Sequence, residues 1–201
     1  AQPRNLELSH GFLDQRTLAA VSGNAVRDEF RISQDPYSSY EVVVDAVSGD
    51  LAPGLVVERL AADNSSVLQS GAAVGTGSAV SLRWQNTSAV DSLQQHLRVR
   101  STGCSTDCGP DDQYRIRVYD TTLTLPRFNN SMNSLTSLII QNRNVTTVNG
   151  IVWFWGPSGT LLYARAFTIP GRGAFTLPAL AIPPLLGTSG TATITSDAPY
   201  G

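Results

Sequence analysis

The sequence has no lysine and only two histidines, so two side-chain types that often act as catalytic bases are scarce. Charged residues make up 15% of the 201-residue chain, against roughly 25% in an ordinary soluble domain. A formal net charge of -2 gives no reason to expect nucleic acid or an anionic membrane as a partner. No run approaches the roughly 20 apolar residues that span a bilayer. The 41% of hydrophobic residues is nevertheless enough to build cores.

Cysteine is equally scarce, since Cys104 and Cys108 are the only two. Two ligands cannot complete a structural zinc site, which needs four, so this spacing predicts a local disulfide. Disulfides are typical of exported proteins, and the opening Ala1-Gln2-Pro3 resembles a mature terminus left after signal-peptide cleavage. We therefore expect a secreted or cell-surface protein.

Short runs of alternating apolar and polar residues, separated by turn residues, predict strands along the whole chain. The clearest is 114–119, in which Tyr114, Ile116 and Val118 share one face. Helix signals are weak, and we expect at most one short helix between residues 11 and 26. The strands predicted in the first half cover 30–32, 40–45, 55–60, 82–84, 97–100 and 114–119. Those in the second half cover 137–141, 148–155, 161–169, 174–177 and 191–195.

The strand pattern pauses near residues 120–122, and 123–130 has the composition of a crossing segment. The sequence thus predicts an all-β chain of two consecutive β-sandwich domains, of jelly-roll or immunoglobulin-like type. We place the first domain at residues 1–121, including an N-terminal extension, and the second at residues 122–201.

Three segments of the first half form a pattern: Asp28-Glu29-Phe30-Arg31-Ile32, the strand beginning at Tyr40, and the closing Tyr114-Arg115-Ile116-Arg117-Val118. Through these segments, residues 21–121 resemble the bacterial pre-peptidase C-terminal (PPC) domain. The insertion around Cys104 and Cys108 departs from that pattern. Residues 123–201 resemble an immunoglobulin-like module of bacterial surface proteins, through Ile140-Gln141-Asn142 and Val152–Gly159. Both resemblances imply an accessory or structural role outside the cell, with no active site.

Catalytic chemistry finds little support in the sequence. Only His10 and His96 could serve as imidazole bases, and alternation places His96 on the outward face of its strand. No Gly-x-Ser-x-Gly elbow, phosphate loop or dinucleotide motif is present. We therefore predict that the chain is not an enzyme and needs no cofactor.

Two groups of surface residues have a possible chemical role. Asp107, Asp111 and Asp112 could supply oxygen ligands to Ca²⁺, although a solvated acidic loop beside the disulfide is the simpler interpretation. Four Asn-x-Ser/Thr sequons, which are possible glycosylation sites, begin at Asn64, Asn86, Asn129 and Asn144.

The second half has more apolar residues than one core needs. Val152 and Phe154 share one strand face, whereas Trp153 and Trp155 share the other. One of these two pairs of side chains fills the core, and the other must be shielded from water by a different contact. We name Trp153, Trp155 and the intervening Phe154 as the candidate assembly or ligand face. Three alternatives for what packs on this face stay open: the first domain, another copy of the chain, or a sugar ring stacked on a tryptophan.

Leu6-Glu7-Leu8 has strand-like alternation ahead of the first predicted domain. We expect residues 1 to about 13, and Leu6 and Leu8 in particular, to pair with an adjacent subunit by β-strand addition. The predicted function is a non-catalytic structural subunit that assembles with copies of itself into an extracellular assembly, such as a filament. The alternative is a carbohydrate-binding accessory module with glycans as partners.

Overall fold

A computed structural model describes residues 6–18, 26–74, 77–104, 108–131 and 133–200. Its regular elements are sixteen β-strands and two short 3₁₀ turns, so the fold class is all-β as predicted. The chain forms two compact units. The first contains residues 1–36, 40–83 and 89–120, and the second contains residues 37–39, 84–88 and 121–201.

The first unit has ten strands in two five-stranded sheets. Their order is β1-β3-β9-β5-β6 in one sheet and β2-β10-β4-β8-β7 in the other. The strands of the first sheet are β1 (Leu6–Leu8), β3 (Arg27–Gln34), β5 (Leu55–Leu60), β6 (Val67–Ser70) and β9 (Leu93–Ser101). Those of the second are β2 (Leu13–Thr17), β4 (Ser39–Ser48), β7 (Ala72–Ala73), β8 (Ala79–Gln85) and β10 (Gln113–Asp120).

Period-two alternation builds the core of this sandwich. Tyr114, Ile116 and Val118 on β10 are fully buried, whereas Arg115 and Arg117 between them are not. The opposite, first sheet also buries its inward-facing side chains. These include Phe30, Ile32, Val57, Leu97 and Val99, all at most 1% exposed.

The second unit has a four-stranded sheet, ordered β11-β16-β13-β14, and a two-stranded sheet, β12-β15. Its strands are β11 (Leu123–Asn129), β12 (Ser137–Gln141), β13 (Val148–Trp155), β14 (Leu161–Ile169), β15 (Ala174–Pro178) and β16 (Ser189–Ser196). Two 3₁₀ turns, Ala179–Ala181 and Pro183–Leu185, lie between β15 and β16.

Aromatic pairs hold the centre of the second unit. The rings of Phe128 and Phe154 meet edge to face with centroids 5.2 Å apart, and Phe167 stacks on Phe175 at 5.6 Å. Gly150 is required beside them, because a β-carbon there would collide with the Phe167 ring and a backbone carbonyl. The core therefore depends on close packing of aromatic and aliphatic groups.

Two strands were not predicted from the sequence. In the stretch 11–26, where we expected at most one short helix, residues 13–17 form β2, which pairs antiparallel with β10; residues 19–25 lie outside the described part. The predicted crossing segment 123–130 is largely β11, paired with β16. Both segments contain polar and charged positions typical of a sheet edge, which obscured their alternation.

Across the described ranges, the structure has no helix of the length and apolar character needed to cross a bilayer.

The division of the chain into two independently folding domains, 1–121 and 122–201, stays a prediction. The second compact unit also takes in residues 37–39 and 84–88, which precede that boundary in the chain.

Candidate functional site

The tryptophan face of β13 is built into the second unit by hydrogen bonds to β16. The indole N–H of Trp153 donates to Thr195 Oγ1 at 3.1 Å, and that of Trp155 donates to Thr193 Oγ1 at 3.0 Å. The strand register pairs Trp153 with Thr193 and Trp155 with Thr191. Each indole therefore bonds to the threonine that lies diagonally across from it, two residues beyond its direct partner. A tryptophan that satisfies its N–H internally is anchored rather than presented to solvent.

Tyr37, which belongs to the same compact unit, covers this face. Its ring centroid lies 4.6 Å from that of Trp153 and 5.1 Å from that of Trp155, in tilted and edge-on contacts. Tyr37 adopts a positive φ of 51°, so its ring is presented from a tight turn. Trp153 is consequently only 6% exposed, and Trp155 is half-buried.

Phe154 does not belong to an exposed face. It is 1% exposed and packs against Phe128 in the core, on the opposite side of β13 from the tryptophans. Naming it with Trp153 and Trp155 was wrong, because strand alternation sends its ring inward with Val152.

The acidic loop is occupied by structural hydrogen bonds. Cys104 and Cys108 form a disulfide, so their sulfurs are not metal ligands. The Asp112 carboxylate accepts backbone N–H groups from Asp50 at 2.7 Å and from Gly109 at 2.6 Å. The two oxygens of Asp112 thereby bond to its own loop at Gly109 and to the turn at Asp50. Asp111 contributes its backbone carbonyl to Ser48, and Asp107 lies outside the described residues.

The two histidines lie in ordinary surroundings. His10 is exposed, and its Nδ1 accepts the backbone N–H of Asp120 at 2.9 Å. His96 is on β9, where alternation with the buried Leu97 places it on the outward face.

The most buried ionic cluster is on the outer face of the β5–β9 pair. Glu58 accepts hydrogen bonds from Arg98 at 2.7 Å and from Arg100 at 2.9 Å. Burial opposes ionisation of Glu58, but the guanidinium groups of Arg100 and Arg98 outweigh it and lower its pKa. The cluster fixes two neighbouring strands and offers no free acid or base.

A second polar group connects the two sheets of the first unit. The Tyr114 hydroxyl donates to Asp28 Oδ2 at 2.6 Å, and Arg16 Nε lies 3.3 Å from the same oxygen. Burial, followed by the charge of Asp28, raises the pKa of Tyr114 well above its usual value. Arg16 also lies 5.2 Å above the ring of Phe30. No local sequence pattern predicted this cluster, because its members are distant in the chain.

The sequons differ in accessibility. Asn64 is exposed in a turn, whereas Asn129 and Asn144 are partly exposed. Asn86 is only 5% exposed, and its side-chain oxygen accepts the backbone N–H of Ser88. The folded chain therefore leaves no room for a glycan on Asn86, and glycosylation at the other three stays a prediction.

The N-terminal strand pairs within its own chain. Leu6, Glu7 and Leu8 run parallel to Phe30, Arg31 and Ile32 of β3, and Leu8 is buried. Further along, Gly11 N–H donates to the Val118 carbonyl at 2.9 Å. One edge of β1 is thus used within the chain, and β1 is the outermost strand of its sheet. Pairing of Leu6 and Leu8 with an adjacent subunit stays a prediction, and residues 1–5 lie outside the described part.

A cleft of about 430 Å³ opens in the second unit, and sequence reasoning missed it. Apolar side chains of the four-stranded sheet line it, including Val148, Phe167, Ile169 and Ile194. Residues 140–144 form part of its rim. Among the described residues that line it, Arg143 has the single charged side chain. The described lining thus combines apolar side chains with polar ones, and its one charged residue is basic.

Comparisons with known proteins give limited likenesses. No protein-family model matches the chain, and no curated protein matches it either. Among solved structures, the PPC domain of collagenase from Bacillus anthracis is similar over 59% of this chain and 98% of its own, with 13% identity and a TM-score of 0.40. The CUB1-EGF-CUB2 domains of rat MASP-1 are similar over 97% of this chain and 100% of theirs, with 9% identity and a TM-score of 0.25. Likenesses of this size do not establish a family.

Proposed function

We propose that the chain is a non-catalytic, extracellular structural protein that associates with copies of itself. The observation that carries the proposal is the exposure of large apolar side chains in the second unit. Leu123, Ile139 and Val145 are 60%, 67% and 73% exposed. Leu123 lines the cleft, and Ile139 lies on β12, whose other face contributes Ile140 to the cleft. Exposed apolar side chains of this size favour an interaction surface.

The absence of catalytic function is supported by how the polar groups are used. The described groups with shifted pKa values lie in structural arrangements, such as Glu58 between two arginines and Tyr114 against Asp28. Location outside the cell is supported by the Cys104–Cys108 disulfide, because disulfides persist in oxidising compartments.

Carbohydrate binding is the weaker candidate. A sugar needs an accessible aromatic face, but Trp153 is buried under Tyr37 and only part of Trp155 remains open. Its prediction is concrete: Trp155→Ala would abolish retention of the chain on a polysaccharide matrix. Equal retention of the variant and wild type would exclude stacking on this face.

The test of self-association is light scattering of the purified chain over a concentration series, with electron microscopy of the same samples. Masses that are multiples of 21.4 kDa and rise with concentration support the proposal. A filament requires a contact that does not close, and microscopy would show it as regular fibres. A mass of 21.4 kDa at every concentration would contradict self-association.

A further inference from the structure

Among the described strands, β12 has a partner along one edge and none along the other. It belongs to a two-stranded sheet, and its described pairing is with β15. The N–H of Asn142 donates to Gly173, and the carbonyl of Thr136 accepts from Ala179, both at 2.9 Å. Because the direction of these groups alternates along an antiparallel strand, those of Ser137, Ile139 and Gln141 point away from β15. Three residues thus present their backbone groups at the open edge.

This edge lacks the usual protection against pairing. Its sequence, Ser-Leu-Ile-Ile-Gln, has no charge and no proline, and its register with β15 is regular. Every other edge strand of the described sheets has a charge, a proline, an irregular register or only two residues. These are β1 (Glu7), β2 (Asp14, Arg16), β11 (Pro126, Arg127), β14 (Arg165), β15 (Pro178), the irregular β6 and the short β7.

The core beside β12 is incompletely covered. Leu138 and Ile140 face inward and pack against the core cluster, yet both are only half-buried. Ile140 also lines the cleft. A further strand laid along β12 would cover both side chains and satisfy the open backbone groups.

We propose that β12 pairs antiparallel with β12 of a second copy, centred on Ile139. This inference rests on the proposed self-association and names its interface. The two-stranded sheets of both copies then form one continuous four-stranded sheet. Because both copies use the same surface, the contact is isologous and closes as a dimer. A filament would need another contact in addition.

The sequence of β12 matches its own reverse in chemical type, which favours a second copy as the occupant. In this register Ile139 faces Ile139, Leu138 faces Ile140, and Ser137 faces Gln141. Apolar positions therefore meet apolar positions, polar positions meet polar ones, and no like charges oppose each other. The pairs at 137–141, 139–139 and 141–137 each exchange two backbone hydrogen bonds.

A charge at the centre of the strand tests the interface. Ile139→Lys places two ammonium groups directly opposite each other at the symmetry axis, and we expect the dimer dissociation constant to rise at least about tenfold. Thr176→Lys is the matched control, because Thr176 is exposed, pairs with Ile139 within the chain and lies away from the open edge. The readouts are sedimentation equilibrium for association and circular dichroism for folding.

The outcomes separate this inference from the proposed function. Weakened association in Ile139→Lys but not in Thr176→Lys, with both variants folded, supports β12 pairing. Undiminished association of folded Ile139→Lys overturns the interface but leaves self-association standing. A monomeric wild type overturns both.

Cysteine cross-linking gives an independent test that does not depend on loss of binding. Residues facing each other in a hydrogen-bonded antiparallel pair have α-carbons about 5.5 Å apart, which a disulfide can bridge. Ile139→Cys should therefore form a covalent dimer under mild oxidation, seen on a non-reducing gel, whereas Thr176→Cys should not. Equal cross-linking of the two variants, or none in Ile139→Cys, would overturn the proposed register.

Discussion

The two units differ in how they use charge. Residues 1–120 contain ten arginines and fifteen acidic residues, which gives 10 − 15 = −5. Residues 121–201 contain four arginines and one aspartate, which gives 4 − 1 = +3. The first unit joins its strands and sheets with ion pairs such as Glu58–Arg98 and Arg16–Asp28. The second relies on packed aromatic rings and on hydrogen bonds from neutral side chains such as Asn142.

This difference extends to the sheet edges. In the first unit, the edge strands β1 and β2 carry charges that would have to be desolvated if another strand paired there, whereas β6 has an irregular register and β7 has only two residues. Residues 121–201, with five charged residues in 81 positions, leave β12 without that protection. The low charge density of residues 121–201 therefore affects edge protection, because it leaves β12 with no charged side chain.

The largest expected effect is on the core of the second unit. Phe154→Ala removes a ring that is 1% exposed and in contact with Phe128, and should lower the free energy of unfolding by about 3–5 kcal/mol. Denaturant titration measures the change, with the exposed Leu161→Ala on β14 as a control. A loss below about 1 kcal/mol would mean that the second unit does not depend on this packing.

Replacing the buried acid of the first unit should have a smaller and pH-dependent effect. Glu58→Gln should cost about 1–3 kcal/mol at neutral pH, because Arg98 and Arg100 lose their counter-charge. The pKa of Glu58 is below 4.5 in the folded chain, so its ionised form stabilises fully above that pH. The stabilisation is lost as the pH falls towards the folded pKa.

The difference in unfolding free energy between wild type and Glu58→Gln should thus shrink on acidification below pH 4.5. Unfolding curves at several pH values between neutral and acid test this expectation. A constant difference over that range would show that the carboxylate charge contributes no net stability.

A neutral substitution in the second unit should show no such pH dependence. Asn142 donates to the carbonyls of Thr146, Ile169 and Pro170 at 2.8–3.1 Å, so Asn142→Ala leaves acceptors unsatisfied and should cost about 2 kcal/mol. The same series of unfolding curves provides the comparison. A cost that varied with pH in parallel with that of Glu58 would break the contrast between the units.

The smallest expected effect concerns the link between the two sheets of the first unit. Tyr114→Phe removes the hydroxyl that donates to Asp28 and should cost about 1 kcal/mol at neutral pH. The folded pKa of Tyr114 is raised, so wild-type stability should fall as the pH rises above about 10, where the unfolded phenol ionises. Thermal unfolding at neutral and alkaline pH should show that the variant lacks this component.

Strand positions could be predicted well wherever the local pattern was regular. Leu55–Leu60, Ser137–Gln141, Val148–Trp155 and Leu161–Ile169 have the bounds that alternation and turn residues indicated. The short β6 and β7 were missed, because four and two residues contain too little periodicity. The all-β class followed from the many regular strands and did not require the weak ones.

The functional features depended more on contacts between distant residues. Alternation correctly assigned Trp153 and Val152 to opposite faces of β13. No local pattern, however, indicated that the ring of Tyr37 would pack on the indole of Trp153. The alternation of Leu6-Glu7-Leu8 indicated a strand, while its parallel partner β3 depends on the tertiary fold. Similarly, the open edge of β12 becomes evident only once its neighbours are known, because pairing partners are not encoded in a five-residue pattern.

The most direct test of self-association is the solution mass of the wild-type chain by light scattering across a wide concentration range. Our account predicts a transition from 21.4 kDa at low concentration to a dimer or larger multiple at high concentration. A mass of 21.4 kDa throughout that range would contradict it.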